Sequence, residues 1–331
     1  MDMQENTMVR PNSLGVINMN KGKMIKYFLT LCLVVSATNI YAFEPTSKTV
    51  TVVIPFAPGG GVDYSFRHLQ KYASDRNINL IPVFKPGAEG VIGVKDVATG
   101  STAGYQFGLT TAGSIAMYEI TNPKEQKVSM LTGLRTTVQV FVTHPNSGIK
   151  NIKDLEKKLE TNKNLTIGIG NPAQRMVWNQ LFDVSARSTQ TLIVPYKGAS
   201  AVLTSITGGH IDLTYLPISV VKSNIDSGKL IALAVTSTKV DEWLTIPQID
   251  SIYKNWKDLE FGHVVFFPEN TDTSAVNHWN EFFKQYLNDK QVLEEFKQSY
   301  SIIVPFGKLP AEQAIKNIKV RLEKIQMVNN N

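Results

Sequence analysis

Three consecutive glycines and an aspartate, Gly59-Gly60-Gly61-Val62-Asp63, follow the apolar run Val50, Val52, Val53, Ile54 and the prolines Pro55 and Pro58. The run reads as a buried strand that the prolines end, and the glycines let the backbone pass close to another group without Cβ clashes. Asp63 is placed to cap the next helix by accepting from the Phe66 amide. The chemistry offered by a strand, a glycine turn and a helix in this order is binding. Free amides and the positive end of a helix dipole face the strand's C-terminal edge, where an anion fits. Three more turns share this character: Thr111–Ser114 with Ala112, Gly170–Ala173 with Asn171, and Lys197–Ser200 with Gly198 and Ala199. One such turn by itself only makes a βα connection compact. Four converging on one gap would form a cage of neutral donors suited to a carboxylate. Lys197, beside Tyr196, could meet a carboxylate directly or lie exposed with its stem on the ring. Phe56, Tyr105 and Tyr196 could wall the gap, with core packing the simpler role for Tyr105.

Other chemistries find little support. The glycines lack the G-x-G-x-x-G spacing, and no G-x-x-x-x-G-K-[ST] occurs, which argues against nucleotide binding. His68, His144, His210, His263 and His278 are scattered, and there is no H-E-x-x-H or G-x-S-x-G. No metal site and no cofactor are expected; His210 and His263 read as surface or hinge residues. An exported hydrolase would have to use Asp63 and Asp212, yet capping explains the first and strand-end acceptance the second.

The elements that must hold these turns alternate. Strands at 79–84, 106–110, 139–143, 165–169, 192–196, 211–215, 230–235 and 262–267 are separated by glycine turns and helices, the pattern of an open, mostly parallel α/β sheet. Two lobes are expected, residues 43–143 with 265–331 and residues 144–264. The C-terminal helices return to the first lobe, and chain crossings near His144 and His263 form a hinge. The cleft between the lobes would receive strand ends from both sides.

The chain has 331 residues, is 43% hydrophobic and 19% charged, and carries a net charge of +6 without a block of like charges, so nucleic acid is not an expected partner. Lys21, Lys23 and Lys26 precede an apolar run from Tyr27 to Ala37, and Tyr41-Ala42 offers a cleavage site. Residues 1–42 therefore read as a cleaved secretory signal peptide, with the true start at Met24, which exports the mature chain. Cys32, the single cysteine, lies within that run, and Leu31 before it is too large for lipoprotein processing.

Several motifs carry a resemblance. Pro55-Phe56-Ala57-Pro58-Gly59-Gly60-Gly61-Val62-Asp63 with Arg67, then Lys85-Pro86-Gly87-Ala88, Val194-Pro195-Tyr196-Lys197-Gly198, Gly208-Gly209-His210-Ile211-Asp212 and Gly228-Lys229-Leu230 occur in order. Together they resemble the substrate receptors of tripartite tricarboxylate transporters, also called Bug receptors. The resemblance implies a two-lobed periplasmic binding protein of type II-like fold, a monomer without cofactor, working with one large and one small integral membrane subunit. It implies that Phe56, Ala57, Gly59, Gly60 and Asp63 from one lobe, and Gly198 and Ala199 from the other, hold a carboxylate, with Gly170 and Asn171 at a further turn. A sensor for a signalling partner is the alternative within this fold. The chain departs from the pattern at Glu89, where glycine is usual, at Ala103, where aspartate is usual, at Asn171-Pro172, which replaces serine-glycine, and at Phe267-Pro268-Glu269-Asn270. Near the cleft, Glu89 would disfavour a tricarboxylate and tolerate an amino or neutral group.

Overall fold

The computed structural model describes residues 43–161, 164–185, 191–236, 245–256, 262–303 and 307–329. The expected signal segment and Cys32 lie outside the described residues. The chain runs β1 (Val50–Ile54), α1 (Gly61–Ser74), β2 (Leu80–Phe84), α2 (Val91–Ala98), β3 (Gln106–Thr111), α3 (Ala112–Thr121) and β4 (Val128–Thr137). It continues through β5 (Gln139–Thr143), α4 (Ile152–Thr161), β6 (Thr166–Ile169), α5 (Pro172–Val184), β7 (Leu192–Pro195), α6 (Ala199–Thr207), β8 (Leu213–Pro217), α7 (Ile218–Asp226), β9 (Ile231–Val235) and α8 (Ile249–Ile252). It ends with β10 (His263–Pro268), α9 (Thr273–Asn288), α10 (Lys290–Gln298), β11 (Ser301–Ile303) and α11 (Lys308–Asn329).

Two sheets result, ordered β11-β4-β10-β3-β1-β2 and β7-β6-β8-β5-β9. Each is covered by helices on both faces, and the period of two within a strand assigns the faces. In β1, Val50, Val52 and Ile54 pack with Phe66 and Leu69 of α1 and with Trp279 and Phe283 of α9. Val53 points the other way, toward Val94 of α2, Ile115 of α3 and Ile315 of α11. The C-terminal helices thus complete the first lobe. In β5, Phe141 meets Trp178 edge-on at 5.1 Å, while Val140 and Val142 face Val202 and Ile206 of α6. Truncating Phe141 or Trp178 to alanine would cost about 3–5 kcal/mol by the usual cavity penalty.

Two expectations are corrected, and two strands were missed. The sheets are mixed rather than mostly parallel. β1 pairs in parallel with β2 and β3, and β6 with β7 and β8, but β10 runs antiparallel to β3 and β4, and β5 to β8 and β9. Strands that enter a sheet from the other lobe arrive in the opposite direction. Second, β5, expected to close the first lobe, belongs to the second sheet. The chain changes sheets at the single buried residue Val138, not near His144. The missed strands are β4 and β11, which sequence periodicity does not reveal, since Ser129, Thr132, Gly133 and Arg135 interrupt the apolar pattern of β4. No described helix is long and apolar enough to cross a membrane.

Candidate functional site

The helices that follow β1, β3, β6 and β7 begin where the two sheets face each other. Their starts close a cavity of about 40 Å³ lined by Phe56, Gly60, Gly61, Val62, Thr111, Gln139, Gly170, Asn171, Gln174, Ala199, Pro217 and His263. Each of the four turns singled out from sequence reaches it. First-turn amides have no intrahelical acceptor, and four helix N-termini directed at one space make it electropositive without a formal charge on its wall. A space of roughly 10–15 Å³ already admits a water, so this one accommodates a single carboxylate group.

The glycine loop is fixed by Asp63, but not as a cap on the Phe66 amide. Gly60 is the N-cap of α1, and Asp63 lies inside the first turn. From there Asp63 Oδ2 reaches back to accept from the Gly59 amide at 2.8 Å, and Oδ1 accepts from Arg67 Nε at 3.1 Å. Gly59 has φ +82°, a left-handed conformation that favours glycine. At α3, Thr111 Oγ1 accepts from the Ser114 amide at 3.3 Å, and Ser114 Oγ donates to the Glu89 carbonyl at 3.0 Å. At α5, Asn171 Oδ1 accepts from the Gln174 amide at 3.1 Å, while Gln174 Oε1 accepts from the Gly170 amide at 2.6 Å. Gln174 Nε2 donates to the Tyr215 carbonyl, so this buried amide has its oxygen and nitrogen both engaged. Asn171 and Gln174 have the N-x-x-Q spacing of a capping box, with Gln174 accepting from Gly170 instead of from the N-cap amide, and that spacing is the signal that could have found Gln174.

The cavity therefore gathers Phe56, Gly60, Gly61, Thr111, Gly170, Asn171 and Ala199 from the expected set. Gly59 and Asp63 support the loop from behind the wall. Ala112 is fully buried and its amide donates to the Gly262 carbonyl at 3.1 Å, so it offers nothing to a ligand. Ala57 and Gly198 take part in the contact between lobes, where the Ala57 amide donates to the Lys197 carbonyl at 3.0 Å. Tyr196 and Lys197 lie instead on a wider space of about 1060 Å³ that also includes Glu89, Val91, Met117, Arg175 and Ala201. There the Tyr196 hydroxyl is 2.6 Å from Ser205 Oγ, and the Lys197 side chain is exposed. Glu89 lies 3.7 Å from Arg175, and burial pushes its carboxyl upward against the pull of that guanidinium. Tyr105 packs against the first core, as its neighbours suggested.

Sequence reasoning missed Gln139, Pro217 and, above all, His263, which is not a surface residue but is buried on the cavity wall. Burial first, and Arg135 second, hold its imidazole well below the usual range, so the ring is neutral. Neither carboxylate of the hydrolase reading lines the cavity. Asp212 Oδ2 is taken up by the Thr166 amide and hydroxyl at 2.8 and 2.7 Å.

Residues 67–299 match the model of the tripartite tricarboxylate transporter family receptor. BugT of Bordetella pertussis is 23% identical over 278 residues, covering 78% of this chain and 82% of that protein. Among solved structures, MatC of Rhodopseudomonas palustris with bound malate has a TM-score of 0.74 at 17% identity, covering 84% of this chain and 98% of the other. A second Rhodopseudomonas palustris protein, solved with adipate, has a TM-score of 0.75 at 19% identity, covering 84% and 95%. Fold, turn geometry and the matched residues agree: the chain belongs to the tripartite tricarboxylate transporter receptor family, a family of solute-binding proteins.

Proposed function

We propose that this protein is an exported periplasmic receptor that captures a small carboxylated metabolite between its two lobes, as a monomer, and delivers it to one large and one small membrane subunit of a transporter. The observation that carries the reading is the convergence of four helix N-termini from two sheets on one small cavity, a place where backbone amides and helix dipoles meet an anion. Gly60, Gly61 and Val62 from the first lobe, with Asn171 and Ala199 from the second, would embrace one carboxylate, while Gly170 lines the space with its amide held by Gln174. The remainder of the ligand would extend toward the wider space around Glu89, Arg175 and Lys197. Lobe closure about a bound ligand is a common mode for such folds. Binding without turnover fits Asp63 and Asp212, both engaged by backbone amides. Malate and adipate, bound by the two solved relatives, define the ligand class to try first. A thermal-shift panel of mono-, di- and tricarboxylates, amino acids and aromatic acids tests it. At least one acid should raise Tm in a concentration-dependent way, since a ligand at 100 times Kd adds about 2.7 kcal/mol to stability. A flat response across the panel would oppose the proposal.

A further inference from the structure

Arg135 lies within β4, fully buried, and no carboxylate among the described residues pairs with it. Its Nε donates to Ser65 Oγ at 2.6 Å, one terminal nitrogen donates to the Gly61 carbonyl at 3.1 Å, and the other donates to Ser301 Oγ. The rings of Tyr64 and Phe296 lie 4.8 and 5.5 Å from the guanidinium carbon. Burial pushes the guanidinium down to about 10, which leaves it charged at neutral pH. A buried cation with only neutral partners is costly, and an anion bound nearby would offset that cost.

Two of Arg135's partners lead toward the cavity. Ser65 Oγ lies 2.6 Å from His263 Nδ1 and 3.3 Å from the Gly61 carbonyl. Ser65 Oγ accepts from the guanidinium, and its one proton has two acceptors in reach, the Gly61 carbonyl at 3.3 Å and Nδ1 at 2.6 Å; the geometry favours the shorter contact, to Nδ1. A neutral imidazole that accepts at Nδ1 carries its proton on Nε2. His263 is on the cavity wall, with Nε2 3.7 Å from where a Gly61 Cβ would stand. The second route is the Gly61–Val62 peptide. Arg135 polarises its oxygen, which strengthens the Val62 N–H on the other side of the same planar unit.

We propose that Arg135 and Ser65 are positioning residues that turn His263 Nε2–H and Val62 N–H into matched donors for one ligand carboxylate, so that the inner cavity selects an ionised, acceptor-only group. This rests on the receptor reading above. It makes His263 a ligand-contacting specificity residue, and it rejects an ammonium or an amide nitrogen at this end of the ligand.

The test combines spectroscopy on the unliganded protein with calorimetry using malate and adipate. Nitrogen-15 imidazole spectra of the wild type should show His263 as the Nε2–H tautomer, unchanged between about pH 5 and pH 8. Ser65→Ala should lose that tautomer preference and weaken acid binding by at least about tenfold in a protein that stays folded, with a lower Tm because the buried Arg135 Nε loses its acceptor. His263→Phe should weaken it similarly, whereas His263→Gln, which can place its amide N–H in the same space, should recover part of the affinity. An Nδ1–H or doubly protonated ring overturns the proposal whether or not acid binds. Unchanged affinity in folded Ser65→Ala overturns it while leaving the receptor reading intact. Failure of the wild type to bind any acid overturns both.

Discussion

The Ala57 amide donates to the Lys197 carbonyl at 3.0 Å, joining the glycine loop of the first sheet to the turn before α6 of the second. Ser200 Oγ adds a bond to the Pro58 carbonyl at 2.9 Å in the same seam. Lys197 thus contributes to the contact between lobes through its backbone, and its ammonium is left free of that task. The described conformation is one in which the lobes touch beside the cavity.

Ser200→Ala should loosen this seam selectively. A hydrogen bond of this kind contributes about 0.5–1.5 kcal/mol, so ligand affinity should fall about two- to tenfold, mostly through faster release. Stopped-flow dissociation of a bound acid is the check, and an unchanged release rate would count against a closure role.

Gly113 on α3 faces Ala173 on α5. A Cβ at Gly113 would lie 3.0 Å from the Ala173 Cβ, tighter than ordinary van der Waals contact. Gly113→Val should wedge the lobes apart, enlarge the radius of gyration seen by small-angle scattering in the presence of ligand, and weaken binding by about tenfold or more, the scale of a 1.4 kcal/mol strain.

Asp63→Ala and Asp212→Asn should separate in their effects. The first releases the Gly59 amide and Arg67, so affinity should drop about tenfold alongside a stability loss of about 1 kcal/mol. The second disturbs Thr166 at the edge of β6 and should lower Tm by about 2–4 °C with affinity intact. Chemical denaturation run beside calorimetry distinguishes them.

Acid should weaken the first lobe through Glu295. Its carboxylate lies 2.8 Å from Lys71 Nζ and 2.7 Å from His68 Nδ1, and hydrogen bonding to Lys71 foremost lowers its pKa to about 2. A depressed carboxylate pKa contributes stability that is present above the unfolded value of about 4.3 and lost as pH falls toward the folded value. Between about pH 4.5 and pH 2, wild type should therefore lose more Tm than Glu295→Gln. After solvent screening the difference should stay near 1 kcal/mol or less, about 2–4 °C.

Local signals carried much of the architecture. β1, β2, β3, β6 and β8 were legible because β-branched and apolar residues dominate them and a glycine or polar turn bounds them on one side, and Asn171-Pro172 announces α5. Sheet membership was not legible. Nothing in Gln139–Thr143 says that the strand changes lobes at Val138, because the cue is the antiparallel pairing with β8 and β9, which is non-local. The site divided the same way. Turns marked by glycine were found, while His263, Gln139 and the buried Arg135 gave no spacing signal, since their roles come from strands far apart in the chain. Ala112 was misread because a turn residue can direct its amide into the fold instead of into the gap, whereas Lys197, for which an exposed side chain was one of two readings, is exposed and joins the lobes through its carbonyl.

The central claim is that first-turn amides around a small inter-lobe cavity hold a carboxylate, and Gly60 tests it most directly. Gly60 has φ −88°, which any residue adopts, and a Cβ there would meet its nearest neighbours, the Ala199 amide and the Ala57 carbonyl, at 3.8 Å. Gly60→Leu should fold with Tm within a few degrees of wild type, because a substitution free of backbone strain shifts stability by about 1 kcal/mol. Its isobutyl group should nonetheless fill the cavity and abolish calorimetric binding of whichever acid the wild type takes up. Full affinity in a folded Gly60→Leu protein would contradict the account.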